Sequence, residues 1–248
     1  MPYSLAETTS GSGSPIYLLH GFTQNRNCWG NIATTLAASS RVTAFDLPGH
    51  GGSSGCPPAL VEGAELLASG QQRGSWIGYS LGGRYALHVA LTHPELVSEL
   101  VLIGAHPGIV DPSEREQRHA EDTTRACTII VEGVSKFLDS WLDLPLFAGL
   151  APEDQDREER ETNSVEGLVS SLMFASTGVQ ENLWPRLPEL EMPVKLVVGE
   201  HDQKFLELAK QCKSAIGDNA RLCVIGGAGH SAHRENPGAF LSAVSSAT

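Results

Sequence analysis

The sequence lacks the features that mark secreted, membrane-spanning and metal-stapled proteins. It has only five cysteines in 248 residues, and no two of them form a C-x-x-C pair. This argues against a zinc site or a disulfide framework and suits a reducing cytosol. No run of about 18 apolar residues is present, so we expect no membrane span. The polar opening stretch MPYSLAETTSGSGSP lacks the charged and apolar regions of a secretory signal, and we expect a cytoplasmic protein.

Positive charge is also scarce. The chain has 17 Lys and Arg against 29 Asp and Glu, a formal net charge of -12. That balance disfavours nucleic acid as a partner, because binding its phosphates requires many cationic side chains. An anionic substrate would have to rely on a local cluster of basic residues. No sequence pattern calls for a metal or an organic cofactor, and we expect neither.

What the sequence does contain is an alternation of short apolar runs and amphipathic stretches. Near-continuous apolar runs are typical of parallel strands buried on both faces, and helical patterns separate them. The alternation predicts an α/β fold with a mostly parallel, doubly wound sheet. The predicted strands are 16–19, 41–46, 75–79, 99–104, 194–200 and 221–225, with clear helices at 29–38 and 81–93.

The alternation stops between residues 109 and 190. This segment is charged and favours helix, with amphipathic pieces such as VSKFLDSWL. We predict that it is a helical lid inserted into an α/β core formed by residues 1–108 and 191–248. A separately folding domain is the alternative, and it is disfavoured because about 80 residues of this composition show no strong core of their own.

The strongest chemical motif is GYSLG, residues 78–82. It fits G-x-S-x-G directly after a predicted strand and directly before a predicted helix. In that context the sharp turn exposes the serine oxygen, and the glycines allow close approach of the backbone. The helix N-terminus also directs free N–H groups towards developing negative charge. Ser80 is therefore the predicted nucleophile, and a helix-capping serine is the alternative.

The partners of such a serine follow in the order acid, then histidine. Asp202 comes just after a predicted strand, and His230 lies in a glycine-rich loop after the next one. His230 would take the proton of Ser80, and Asp202 would orient the imidazole and stabilise its charged form. Nearby rivals are Glu200, His201 and His233, which we interpret as loop or capping residues.

The stretch LLHGFTQ supplies the remaining part of such a site. A strand ends at His20-Gly21 and a turn follows, so the backbone N–H of Phe22 can pair with that of Leu81 as an oxyanion hole. We expect His20 itself to hold this turn. Together with the three side chains above, the turn predicts an α/β-hydrolase fold.

Seven stretches resemble one family of this fold, the 2-succinyl-6-hydroxy-2,4-cyclohexadiene-1-carboxylate synthases of menaquinone biosynthesis. DLPGHGGS and GYSLGG are common in α/β-hydrolases, so the informative parts are the arginine in GYSLGGR, the HPG of GAHPG, the tryptophan of WLDLPLFAGL and the histidine loop GHSAHRENP. The other two stretches are HGFTQNRNCW and GEHDQKF. The similarity runs from about residue 16 to 240.

The resemblance implies a reaction and additional site residues. The family eliminates pyruvate from 2-succinyl-5-enolpyruvyl-6-hydroxy-3-cyclohexene-1-carboxylate, a small tricarboxylate, without a cofactor. By correspondence, Arg84 and Arg118 match the substrate-binding arginines of the family. Trp141 matches a tryptophan of its lid. Tyr79, at the variable position before the serine, is expected to line the pocket or to brace the turn.

The residues themselves leave alternatives open. Arg84 lies one helical turn after Ser80 and could bind a carboxylate with two hydrogen bonds, or form a surface ion pair. Arg118, with Arg115 three residues before it, stands in a mixed-charge run that is usually a solvated helix face. The same triad also serves esterases, thioesterases and carbon–carbon-bond hydrolases, and the fold also suits a non-catalytic ligand receptor. The sequence does not determine an oligomeric state.

Overall fold

A seven-stranded sheet forms the centre of the described chain, which in this computed structural model comprises residues 3–245. Residues 1–2 and 246–248 of the predicted core lie outside this range. The strands are β1 (Glu7–Ser10), β2 (Pro15–Leu19), β3 (Arg41–Phe45), β4 (Gly74–Tyr79), β5 (Val97–Ile103), β6 (Val194–Gly199) and β7 (Ala220–Ile225). Their order is β1-β3-β2-β4-β5-β6-β7. Only β1 pairs antiparallel with its neighbour, and the other pairs are parallel.

The predicted strands are confirmed, and one strand was not predicted. Each of the six apolar runs lies on one of β2 to β7. β1 has the sequence ETTS and is fully exposed at the sheet edge, so it lacks the apolar signal from which the others were identified. Its pairing with β3 includes a hydrogen bond between the hydroxyls of Thr9 and Thr43, 2.9 Å apart.

Helices cover both faces of the sheet, as a doubly wound arrangement requires. Side chains of α2, α3 and α7 pack in one apolar cluster, and those of α1 and α9 pack in another on the opposite face. The predicted fold class is thereby confirmed. The helices are α1 (Gly30–Ala37), α2 (Leu60–Ala68), α3 (Leu81–Thr92), α4 (Pro112–Leu142), α5 (Arg157–Glu161), α6 (Val165–Phe174), α7 (Gln203–Ile216), α8 (Ala232–Glu235) and α9 (Pro237–Ser245).

The long helix α4 opens the segment between β5 and β6, which we call the inserted segment (residues 109–190). It begins at Pro112, where proline is tolerated because the first helical N–H has no intrahelical partner. The Asp111 carboxylate caps this end by accepting from the N–H groups of Ser113 and Glu114. At Gly133 the backbone has φ +80° and interrupts the helix.

The inserted segment has a larger apolar core than its composition indicated. Buried side chains from α4, from α6 and from the connection between them (Phe147 and Leu150) form a third cluster, and the expectation that this segment lacks a core is wrong. Phe22, from the turn after β2, packs against this cluster. The segment is therefore joined to the sheet through a residue of the predicted oxyanion hole. The members of this third cluster include Ala126, Ile129, Phe137, Leu138, Leu168 and Leu172.

The parallel sheet brings the predicted site residues together at the carboxyl ends of its strands, which we call the carboxyl edge of the sheet. Ser80 directly follows β4, Asp202 follows β6, and His230 follows β7. Parallel strands end at the same edge of a sheet, and open α/β sheets present their functional loops there. The inserted segment leaves the sheet after β5 at this same edge.

Candidate active site

Ser80 stands on a tight turn that only small neighbours allow. Its backbone has φ +50°, a conformation that L residues rarely adopt. A Cβ at Gly78 would lie 2.4 Å from the Gly82 carbonyl oxygen, and a Cβ at Gly82 would lie 2.0 Å from the Leu19 carbonyl oxygen. A side chain at Gly78 or Gly82 would therefore clash with the backbone. The glycines allow Ser80 to be held at the start of α3 in a strained backbone conformation.

His230 and Asp202 form the expected pair. The Nδ1 of His230 lies 2.6 Å from the Asp202 Oδ2. The other Asp202 oxygen accepts from the Phe205 N–H at the start of α7, which fixes the carboxylate. Because Asp202 accepts from Nδ1–H, the Nε2 of His230 is left as the nitrogen that can accept a proton. Ser80 and His230 line the same cavity.

The rival residues have other roles. The Glu200 carboxylate accepts from the Gly227 N–H at 2.9 Å and holds a loop, as expected. His201 is exposed. His233 was interpreted as a loop or capping residue, and this is wrong. Its ring is buried against Tyr79, with ring centres 4.4 Å apart, and burial holds its pKa well below the usual value.

The turn after β2 is built around two buried histidines. The Leu47 N–H donates to His20 Nε2 at 3.0 Å, and His20 Nδ1 lies 2.8 Å from the Gly21 carbonyl oxygen. Burial lowers the pKa of His20 to about 3, so the ring is neutral. The role expected for His20 in holding this turn agrees with these contacts. His50 packs edge-on to it and is likewise neutral, with a pKa lowered by burial to about 3.

A cavity of about 310 Å³ lies between the carboxyl edge of the sheet and the inserted segment. Eight of the nine residues that the sequence predicts for the site line it, and the ninth, Asp202, lies behind His230. Four cationic side chains also line it, Arg84, Arg118, Arg160 and Lys204, against two acids from α4. Those predicted residues are Phe22, Tyr79, Ser80, Leu81, Arg84, Arg118, Trp141, Asp202 and His230; Asp202 reaches the cavity through its bond to His230.

Arg84 is buried, which excludes the surface ion pair considered above. Its side chain donates to the Ala175 carbonyl oxygen and, at 3.3 Å, to the Gln180 amide oxygen. These partners are neutral, and among the described residues no carboxylate is hydrogen-bonded to this guanidinium. Burial, together with the nearby charge of Arg118, lowers the pKa of Arg84 to about 10, and the group remains a cation at neutral pH.

Arg118 occupies a more exposed part of the cavity wall. Its Nε lies 2.7 Å from the Asp122 carboxylate, which also pairs with Arg125 at 2.5 Å and accepts from the Ser176 hydroxyl. The alternative of a solvated, mixed-charge helix face is therefore correct in part, because Arg118 is partly exposed and ion-paired, although it also lines the cavity. Among the described residues Arg115 is not part of that lining, which agrees with the choice of Arg118 between the two.

Sequence reasoning missed Arg160. The side chain is only 1 % exposed, lines the cavity, and donates to the Phe22 carbonyl oxygen at 3.3 Å and to the Thr23 hydroxyl. Its stretch, REERETNS, is typical of a solvated helix face, and no residue pattern there indicates burial. Only the fold, which places α5 against the turn after β2, shows that this arginine is enclosed. Lys204, two residues after Asp202, was missed as well.

Tyr79 and Trp141 complete the aromatic part of the wall. The Tyr79 hydroxyl is 2.8 Å from the Ser231 hydroxyl, and the ring packs on Gly21, so it braces the turns and borders the cavity at once. Trp141 packs edge-on to Phe22, with ring centres 5.3 Å apart. The contact between Phe22 and Trp141 joins the wall contributed by the carboxyl edge of the sheet to the wall contributed by the inserted segment.

Three further observations concern metal binding, cysteine pairing and membrane-spanning helices. Within residues 3–245, no three His, Cys, Asp or Glu side chains are arranged to bind a metal ion. The five cysteines are all unpaired. No helix in the same range is long and apolar enough to cross a membrane.

Comparisons with known proteins agree with the geometry. Residues 16–243 match the alpha/beta hydrolase family. A 2-succinyl-6-hydroxy-2,4-cyclohexadiene-1-carboxylate synthase of Serratia proteamaculans is 33% identical over 90% of this chain and 88% of its own length. A protein of the same name from Salmonella typhimurium is also 33% identical, over 91% and 90%.

Solved structures are similar over nearly the whole chain. MenH from S. aureus superposes with a TM-score of 0.90 at 28% identity, covering 96% of each chain. A thermophilic esterase from Thermogutta terrifontis superposes with a TM-score of 0.81 at 22% identity, covering 97% of this chain and 91% of its own. At that identity the esterase shows a common fold only.

Proposed function

This chain belongs to the alpha/beta hydrolase family and, within it, to the 2-succinyl-6-hydroxy-2,4-cyclohexadiene-1-carboxylate synthases, and from that premise we propose that it is a lyase of menaquinone biosynthesis. The reaction eliminates pyruvate from 2-succinyl-5-enolpyruvyl-6-hydroxy-3-cyclohexene-1-carboxylate and gives 2-succinyl-6-hydroxy-2,4-cyclohexadiene-1-carboxylate. It requires no metal or organic cofactor. Residues 109–190 act as the lid over a core of residues 1–108 and 191–248.

The triad supplies the base. His230, oriented by Asp202, takes the proton of Ser80, and the serine oxygen removes the proton from ring carbon 2, next to the succinyl ketone. Negative charge then develops on the ketone oxygen, where the N–H groups of Phe22 and Leu81 stabilise it. No acyl-enzyme and no water molecule take part.

Elimination follows from that enolate. Its electrons form the bond between ring carbons 2 and 3, the double bond moves from carbons 3–4 to carbons 4–5, and the bond between carbon 5 and the enolpyruvyl oxygen breaks. The departing enolate takes up a proton and becomes pyruvate. Ser80 keeps the proton that it removed from carbon 2 and is a hydroxyl again, and His230 can donate the proton that it took from Ser80 to the leaving group, which restores the triad.

The observation that carries this proposal is the buried positive charge around the triad. The substrate has three carboxylates, and a protein with a net charge of -12 repels it unless cations are concentrated locally. Arg84 and Arg160 are buried, line the cavity and have neutral hydrogen-bond partners, so their charges are available to carboxylates. A hydrolase of neutral esters has no need of these groups. Trp141 and Tyr79 provide the apolar walls for the ring.

We assign the protein to the cytoplasm, with a small tricarboxylate as its partner and no nucleic acid or membrane span. Five unpaired cysteines are compatible with a reducing compartment. The substrate is an intermediate of a biosynthetic pathway, and an enzyme acting on it is expected where that pathway runs.

The proposal is tested by supplying purified protein with the enolpyruvyl substrate. Pyruvate, measured with lactate dehydrogenase, should appear in step with the absorbance of the cyclohexadiene, and chelators should not change the rate. A set of p-nitrophenyl esters and acyl thioesters serves as the comparison. A kcat/KM for any of these above that for the tricarboxylate would favour the hydrolase alternative. Turnover of none of them would favour a ligand receptor.

A further inference from the structure

The turn that carries Phe22 is tied to the inserted segment by side-chain hydrogen bonds. Asn163 Nδ2 donates to the Thr23 carbonyl oxygen at 2.6 Å, and Arg160 donates to the Phe22 carbonyl oxygen at 3.3 Å. In the other direction, Asn25 Nδ2 donates to the Glu159 carbonyl and carboxylate oxygens at 3.0 and 2.8 Å. The turn after β2 is thus clamped by residues more than a hundred positions further along the chain.

These hydrogen bonds act on a backbone that is strained at Thr23. Thr23 has φ +69°, and for a β-branched residue this conformation is an outlier. Such strain persists only where the surroundings enforce it, and it concentrates at functional sites. The residue directly before Thr23 is Phe22, whose N–H belongs to the proposed oxyanion hole. The direction of that N–H therefore depends on what enforces the Thr23 conformation.

Asn163 is the side chain best placed to enforce it. Its Oδ1 accepts from the Gly51 N–H at 2.8 Å, and its Nδ2 also donates to the Arg160 carbonyl oxygen at 3.0 Å. One carboxamide thus links the turn after β2, the loop after β3 and the end of α5. The residue is 5% exposed and, among the described residues, is not part of the cavity lining. It acts on the site only through the turn.

We infer that Asn163 is a positioning residue that couples the oxyanion hole to the packing of the inserted segment. With the segment packed, the carboxamide holds Thr23 in its strained conformation and the Phe22 N–H points to the developing oxyanion. Without this bond the turn relaxes, and substrate still binds to the arginines but its transition state is stabilised less. The inference rests on the proposed function in taking that oxyanion to be the enolate of the succinyl ketone.

The test replaces Asn163 by Asp, which keeps an acceptor for Gly51 but sets an oxygen against the Thr23 carbonyl. Asn219→Asp is the matched control. Asn219 Nδ2 likewise donates to two main-chain carbonyls, of Leu190 at 2.6 Å and Met192 at 2.7 Å, and the residue lies at the amino end of β7, away from the site. We expect Asn163→Asp to lower kcat about 10- to 100-fold, in the range of a weakened oxyanion hole, with KM changed less than about threefold. Asn219→Asp should keep the parent kcat.

Asn163→Ala guards against misfolding caused by the introduced charge, and it should show the same loss in kcat with a cooperative thermal transition. A kcat within twofold of the parent in both variants would overturn the inference. So would a loss confined to KM, because a residue that positions the oxyanion hole acts on the transition state.

A second readout does not depend on the identity of the substrate. A neutral fluorophosphonate reacts with an activated serine and places an oxygen in the oxyanion hole, and mass spectrometry follows its attachment to Ser80. We expect labelling at least about tenfold slower in Asn163→Asp than in the parent and in Asn219→Asp. If the parent protein releases no pyruvate, the proposed function fails, and these labelling rates still decide the role of Asn163. Equal rates in all three proteins would contradict it.

Discussion

The two halves of the cavity are held in place in different ways. The triad half (the proposed triad of Ser80, Asp202 and His230) is positioned by turns at the ends of parallel strands and by one short hydrogen bond between side chains. The cationic half (Arg84, Arg118 and Arg160) is positioned by α3 and by helices of the inserted segment. Two of its three guanidinium groups have neutral oxygen partners, and only Arg118 has a carboxylate partner.

This difference indicates how one fold can host many reactions. The triad half contains little that is specific to a substrate, because its geometry follows from the sheet edge. In the cationic half, Arg84 and Arg160 are buried charges that cost folding free energy and have no carboxylate as a direct hydrogen-bond partner among the described residues. Such charges are expected where a ligand of opposite charge completes them. We therefore interpret the triad half as the source of the chemistry and the cationic half as the source of substrate choice.

The largest effect should come from the triad half. Ser80→Ala, Asp202→Ala and His230→Ala should each lower kcat about 10³-fold or more with the fold intact, because the three side chains act as a unit. For the same reason, a double variant should lose little more than the more damaging single one. Steady-state pyruvate release measures this. Near-normal turnover in Ser80→Ala would contradict the mechanism, and a normal Asp202→Ala would assign the acid to another carboxylate, with Glu200 examined first.

Arg160→Ala should have the next largest effect, about 10- to 150-fold in kcat/KM. The guanidinium is expected to bind a carboxylate, and it also holds the Phe22 carbonyl, so both kcat and KM should change. Arg186→Ala is a suitable control, because Arg186 pairs with Glu189 on the surface, away from the cavity. An unchanged kcat/KM in Arg160→Ala would remove this residue from the cationic half.

Arg118→Ala should cost less, about 3- to 10-fold in kcat/KM, since an exposed charge-assisted contact is weaker than a buried one. Asp122 already holds this guanidinium, and part of its charge is compensated before substrate binds. The loss should diminish as salt is raised, because the side chain is reached by solvent. Kinetics at two ionic strengths measure both effects. A loss equal to that of Arg160→Ala would mean that Asp122 does not weaken this site.

The smallest effect on turnover is expected for His50→Gln, which should instead change the pH dependence of stability. His20 and His50 are buried and neutral, with pKa values lowered to about 3 from an ordinary value near 6.5. Between these pH values the unfolded chain binds protons that the folded chain does not, so stability falls as pH falls through this window. From pH 6.5 to 5 each histidine should cost up to about 2 kcal/mol.

Thermal unfolding at pH 7 and pH 5 measures this loss, and His50→Gln should show a smaller difference in Tm between the two pH values than the parent. An equal pH dependence in variant and parent would show that His50 is not neutral in the folded protein. Activity of His50→Gln at pH 7, compared with that of the parent, serves as the check that the turn after β2 is intact.

Most of the fold could be predicted from the sequence because local signals agreed with it. The apolar runs identified β2 to β7, and the glycines around Ser80 identified the turn that they make possible. The polar strand β1 could not be predicted in this way, because an exposed edge strand needs no apolar residues. The apolar core of the inserted segment was also missed, because its buried residues are spaced among many charges.

The site could be predicted only where its residues belong to a motif or a resemblance. Asp202 and His230 were found because chain order and strand ends restrict the candidates. Arg160 was not, since its burial arises from contact with Phe22 and Thr23, far away in the chain. The buried position of His233 is likewise a long-range consequence, set by packing against Tyr79.

If buried guanidinium groups select a carboxylated substrate for an otherwise general triad, Arg84→Ala should impair the reaction of that substrate alone. We expect kcat/KM for the tricarboxylate to fall about 10- to 150-fold, as the loss of one charge-assisted hydrogen bond of about 1.5–3 kcal/mol requires. Arg84→Lys should recover only part of it, because it keeps the charge without the two-pronged geometry. The rate at which a neutral fluorophosphonate labels Ser80 should stay within about twofold of the parent. An unchanged kcat/KM for the tricarboxylate, or an equal loss in both measurements, would contradict the claim.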